Sequence, residues 1–231
     1  MKKETILIIS KTVINPGQLC VGALTSSGRQ VRILDRLGNN QPQYTNLNLG
    51  QIWDIEYTDK EDNTPPHVED ILVYKRLQRG NRKEDITMKS LVEKFNIPIW
   101  QGHPDNLFDG LLQWTPSGSG YIEKGKGVPK HSVGFWISDR DLKKREYEGD
   151  RYLYPMKKEW RNFKLKGLQT PVDVIPAGTL IRVSLSRWKT FSHDKTPKCW
   201  LQLSGWYELP ENVTPGTEER KGRTPDLPLL I

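Results

Sequence analysis

Hydrophobic and polar positions alternate with period two in several stretches of this chain, most clearly over residues 178–207, GTLIRVSLSRWKTFSHDKTPKCWLQLSGWY. Ile181, Val183 and Leu185 fall on one face, and Arg182, Ser184 and Ser186 on the other. After a loop, Cys199, Leu201 and Leu203 alternate with Trp200, Gln202 and Ser204. Period two marks strands with one buried face, so the stretch predicts a β-hairpin. Shorter apolar or alternating runs at residues 5–11, 18–24, 29–34, 51–57 and 69–76 predict five strands, broken by a polar segment at 38–50. A five-stranded Greek-key barrel of OB type has this layout, often with a helix in the break. An SH3-like barrel or a small sandwich fits the order of strands equally well.

Residues 79–131 differ in kind. Met88, Leu91, Val92 and Phe95 stand at i, i+3, i+4 and i+7, which predicts an amphipathic helix over 87–95. Asp85 or Thr87 supplies a cap, and Pro98 stops the helix. A second, shorter helix is expected at 105–112, and a loop at 116–127. Strand patterns resume at 132–138, 151–156 and 161–168 and lead into the hairpin. The fold expected is mainly β with a helical insert: two small OB-like or Greek-key barrels in tandem. Its divisions are a first barrel at 1–78, an insert at 79–131, a second, basic barrel at 132–209 and an extended tail at 210–231.

Charge sharpens this picture. The net charge is +7. Residues 1–116 carry 14 Lys and Arg against 14 Asp and Glu, while residues 117–231 carry 21 against 14 and hold the whole excess. Such asymmetry points to a polyanion or an acidic partner at the second half. Cations from Arg140 to Lys166, including Arg151, Lys157, Lys158, Arg161 and Lys164, interleave with Tyr147, Tyr152, Tyr154, Trp160 and Phe163. Aromatics among cations suit a groove that stacks bases and neutralises phosphates. Strand alternation turns about half of them inward as ordinary core. The candidate nucleic-acid-binding residues are Arg182, Arg187, Trp188, Lys189, Trp200, Lys157, Lys158 and Arg161. A solvated cross-strand pairing of Arg182 with Trp200 is the structural alternative.

Specific chemistry finds little footing. Gly120–Gly127 reads G-x-x-x-x-G-K-G, but a P-loop needs Ser or Thr after Lys126 and a buried strand before the glycine. His67, His103, His131 and His193 stand singly, without local metal-ligand spacing. Asp139 and Asp141 flank Arg140, as a salt-bridged surface would. No cofactor, metal or catalytic residue is expected. A metal-independent ribonuclease using Lys and His near His193 is one alternative function. A protein-interaction module anchored on Trp188, Trp200 and Trp206 is another. Cys20 and Cys199 are expected as free thiols. The apolar run Ile6–Ile9 is too short for a signal peptide or a membrane span, so a cytoplasmic protein without membrane contact is expected.

Both halves together resemble an uncharacterised prokaryotic family described as a dual OB-containing domain. The matching residues are Cys20-Val21-Gly22-Ala23, Gly28, Val31-Arg32-Ile33, Trp53-Asp54-Ile55-Glu56 and Leu185-Ser186, and the likeness spans residues 5–207. It implies two small barrels acting as a nucleic-acid-binding module, in defence against mobile DNA, and implies no catalytic residues. DNA against RNA, single-stranded or structured, stays open, as does oligomeric state.

Overall fold

A computed structural model describes residues 1–145, 150–192 and 194–209. Tyr147, His193 and the tail expected at 210–231 lie outside the described residues.

The first barrel is built from β1 (Lys2–Asn15), β2 (Gln18–Thr25), β3 (Gln30–Leu34), the short β4 (Gln41–Pro42), β5 (Gln51–Asp59) and β6 (Asp70–Asn81). β1 pairs with both β2 and β5, so the path β1-β2-β3-β6-β5 closes on itself. Only β3 and β6 run parallel. This is the closed five-stranded barrel of an OB fold. Alternation explains it: Trp53, Ile55 and Tyr57 of β5 are buried, whereas Asp54, Glu56 and Thr58 are only partly so. A register shift between Ile8 and Ser10 bends β1. Ile8 enters the barrel core, while Ile9 joins a different cluster. The break between β3 and β5 holds β4 and turns, not the helix that OB barrels often carry there.

After β6 come α1 (Met88–Lys94), β7 (Ile99–Gln101), β8 (Gln113–Trp114) and β9 (Gly120–Glu123). Thr87 caps α1 by accepting from the Ser90 amide at 3.0 Å. The expected helix at 105–112 is instead a 3₁₀ turn, Pro104–Gly110, broken by left-handed Phe108 and Asp109. Phe108 is fully buried, so core packing overrides helical continuity. The expected loop at 116–127 contains β9, which pairs with the last strand.

The second sheet uses β10 (Val133–Ile137), β11 (Leu142–Lys144), β12 (Arg151–Pro155), β13 (Trp160–Leu165), β14 (Val174–Ile175), β15 (Leu180–Leu185) and β16 (Lys198–Tyr207). Its path is β14-β11-β12-β13-β16-β15-β10-β7. The pairings repeat those of the first barrel, including one parallel pair, β13 with β16. The difference lies in the first strand, which is split: β10 pairs with β15, and β11 with β12. Trp136, Tyr152, Tyr154 and Phe163 fill this core, with Trp136 stacked on Phe163 at 5.3 Å. Three aromatics of the basic run therefore point inward.

The two barrels are fastened together. Met88 and Val92 of α1, four residues apart, pack between Ile9 and Leu24 of the first barrel and Phe135 and Leu180 of the second. The Val13 amide donates to Lys166 O at 2.9 Å, and the Leu168 amide to Lys11 O at 3.1 Å. Tyr207 Oη donates to Ile9 O at 2.8 Å. Among the described residues, no helix is long and apolar enough to cross a membrane.

Candidate nucleic-acid interface

A cleft of about 840 Å³ opens between the barrels, within the size range of ligand pockets. Its first wall is contributed by Ser10, Thr12, Cys20, Gly22 and Arg32 of β1, β2 and β3. The second wall is β15 and β16, through Arg182, Ser184, Gln202 and Ser204. The face of β15 that alternation marked as polar is therefore turned toward the first barrel, not toward bulk water. The walls come close because Gly22 lacks a side chain. A methyl group there would lie 2.4 Å from Ser10 Oγ and 2.9 Å from Arg182 Nη2.

Seven lining side chains are Lys or Arg and one, Glu69, is a carboxylate. Glu69 is already engaged, accepting from the Ser132 amide at 2.7 Å and from its hydroxyl at 2.8 Å. Arg32 donates to Asp70 Oδ1 at 3.0 Å and to Ser132 Oγ at 2.8 Å. Burial opposes the charge of Arg32, yet Cys20, Asp70 and Glu69 carry its pKa above the ordinary value. Arg187 reaches the other oxygen of Asp70. These contacts lock β6 to the start of β10 and to the loop after β15. Lys166 and Lys164 stand at the mouth. Burial first, and then the charge of Lys164, holds Lys166 below the ordinary lysine value. Arg151 also lines the cleft and donates to Asn162 Oδ1 at 3.3 Å.

Aromatic side chains gather at one end of the cleft. Trp200 lies 6.2 Å from Phe191 and 5.4 Å from Tyr121, and Lys189 sits 4.8 Å over the Phe191 ring. Trp188 donates from Nε1 to Pro65 O at 2.8 Å and is thereby held against the first barrel. Phe191 is 37% exposed.

The structure divides the residues that sequence reasoning singled out. Arg182, Arg187, Trp188, Lys189 and Trp200 all line the cleft. Arg182, expected on a solvated face, is buried at its floor. It does not pair across the hairpin with Trp200: Arg182 faces Gly205, and Ser184 faces Gln202. Lys157 and Lys158 are exposed in the turn between β12 and β13, outside the lining. Arg161 is also outside it, 4.6 Å over the Trp114 ring and paired with Asp105 and Glu159. Trp206, named as an exposed anchor, is core, edge-on to Tyr152 at 5.7 Å. Arg32, Arg151, Lys164 and Lys166 line the cleft as well and were not among those candidates. The last three lie in the basic run. Arg32 gave a signal only as a charge inside the apolar third strand.

One buried pair brings a thiol and an imidazole together. Cys199 Sγ lies 3.7 Å from His67 Nε2. Burial pushes the thiol up to about 12. Burial, with Arg32 and Arg187 nearby, pushes His67 down to about 2. A thiolate nucleophile needs the opposite shifts, so both groups are neutral. Among the described residues, no cluster of three or more His, Cys, Asp or Glu is arranged to hold a metal.

Two OB-type barrels in tandem thus share a cationic and aromatic cleft. The chain belongs to the dual OB-containing domain family, whose model matches residues 4–206. Comparisons with curated proteins and with solved structures each returned no match.

Proposed function

We propose that the protein is a non-catalytic nucleic-acid-binding module that takes a single strand into the cleft between its barrels. The cleft itself carries this reading: seven cations against one engaged carboxylate, with aromatic rings at one end. OB-fold domains commonly bind nucleic acid, and cations with stacking rings are how such folds hold single strands. Lys164, Lys166 and Lys189 meet phosphates, and Phe191 and Trp200 meet bases. Lys157 and Lys158 add only to the long-range field. The neutral Cys199–His67 pair supports binding without chemistry. A role in defence against mobile DNA, in the cytoplasm of a prokaryote, rests on the family resemblance and not on the geometry.

The test is fluorescence anisotropy with labelled single-stranded DNA, single-stranded RNA and duplex across a salt series, with gels for strand integrity. Single strands should bind more tightly than duplex and remain intact. Log affinity should fall linearly with log salt, by about 0.7 per phosphate contact. Lys164→Ala with Lys166→Ala should flatten that slope by roughly two contacts. Trp200→Ala should cost about 1–3 kcal/mol, the range for base stacking. Salt-independent binding, or none, would sink the reading. Cleavage of the strand would replace it with a nuclease.

A further inference from the structure

Arg182 lies at the floor of the cleft, only 3% exposed. Its Nε is buried without a hydrogen-bond partner. Among the described residues, no carboxylate forms an ion pair with it. Arg32, on the facing wall, is equally buried but holds Asp70 and Ser132. The same interface thus satisfies one buried guanidinium and leaves the other open. Arginine stays protonated in proteins, so Arg182 cannot relieve its burial by losing its charge. A buried charge without a counter-charge is strongly unfavourable.

The charges around it do not balance. Arg32, Arg182 and Arg187 converge on the interface, against Glu69 and Asp70. Lys164 and Lys166 add to the excess at the mouth. Neutral hydroxyls line the cleft with the guanidinium. Ser10 Oγ and Arg182 Nη2 both lie within 3 Å of where a methyl group at Gly22 would stand, and Ser184 follows Arg182 by two residues on the same face of β15. Ser204 donates to Ser184 Oγ at 2.7 Å, which leaves the Ser184 proton free to donate onward.

We propose that the floor of the inter-barrel cleft is a phosphate site, with Arg182 as its buried anchor and Ser10 and Ser184 as hydroxyl donors. A guanidinium fork matches two phosphate oxygens at once. The phosphate belongs to a strand or to a free nucleotide. The strand as source rests on the function proposed above, whereas the site itself does not.

The experiment follows melting temperature and calorimetric binding with inorganic phosphate, using chloride at matched ionic strength as control. Wild-type protein should be stabilised by phosphate and not by chloride, through preferential binding to the folded state. Arg182→Met should lose that response and weaken phosphate binding about tenfold or more, as removal of a charged hydrogen-bond donor does. Without phosphate it should melt at or above wild type, because a buried unpaired charge is gone. A merely structural arginine would instead lower the melting temperature. Arg182→Lys should retain a weaker response, and it serves where Arg182→Met does not fold. The proposal is overturned if wild-type protein gains nothing over chloride, or if Arg182→Met responds as wild type does. Labelled single strands are titrated on the same variants. Phosphate binding that depends on Arg182, without strand binding, supports the site with a free nucleotide as source and rejects the strand reading. Strand binding that is unchanged in Arg182→Met, with the phosphate response intact, overturns the site and leaves the strand reading standing.

Discussion

Burial decides what single residues do in this protein. His67 is 1% exposed and lies close to two arginines, and its pKa falls from 6.5 to about 2. The sign of the pH effect follows. The unfolded chain takes up a proton near pH 6.5, and the folded one does not until about pH 2. His67 therefore favours the fold fully above pH 6.5, and that contribution is lost progressively as pH falls toward 2. Each pH unit below the unfolded value costs up to about 1.4 kcal/mol. Denaturant melts between pH 7 and pH 5 should show wild type losing stability that His67→Leu does not lose. Parallel curves for the two proteins would reject this account. Cys199 follows the same logic as a thiol. Fully buried and pushed up to about 12, it should resist alkylation in the native protein, and Cys20 alone should label.

At the scale of elements, alternation made most of the strands legible. Apolar or alternating runs marked all five strands that close the first barrel, and strict alternation marked β15 and β16. The amphipathic spacing of Met88 and Val92 likewise placed α1 within a residue or two at either end. What alternation cannot carry is the identity of the opposing surface. Arg182 and Ser184 share a polar face, and the natural expectation is solvent. The structure covers that face with the first barrel, so the same pattern builds the floor of a cleft. β9 escaped notice because four residues framed by glycines hold too little pattern to outweigh loop composition. The join between elements also depends on a few charges. Asp70, the first residue of β6, accepts from Arg32 of β3 and from Arg187 after β15, and its side chain is 1% exposed. Asp70→Asn removes the negative charge from two arginines. Breaking a buried pair on one side costs about 3–5 kcal/mol. Equilibrium unfolding of the variant should show a loss of this size, and a loss below about 1 kcal/mol would match a surface pair instead.

On the scale of the whole molecule, the cleft belongs to neither half. The net charge of +7 comes entirely from residues 117–231, which directed attention to the second barrel alone. Yet the cleft needs Ser10, Gly22 and Arg32 from the neutral half, and no sequence window contains both walls. A site of this kind keeps its geometry only if the barrels move as one body. Three features argue that they do: the shared cluster of Ile9, Leu24, Met88, Val92, Phe135 and Leu180, the buried network around Asp70, and backbone hydrogen bonds from Val13 to Lys166 and from Leu168 to Lys11. Two barrels on a loose tether would melt separately, and chains longer than about 150 residues often depart from two-state behaviour. This chain should instead give one calorimetric transition with matching calorimetric and van't Hoff enthalpies. Val92→Ala opens a cavity where both barrels meet α1, at a cost of roughly 1–3 kcal/mol by analogy with other core truncations. It should shift the single peak downward without splitting it. Two resolved peaks in wild type, or a Val92→Ala shift confined to one of two peaks, would show that the barrels fold independently and that the cleft is not held rigid by the interface.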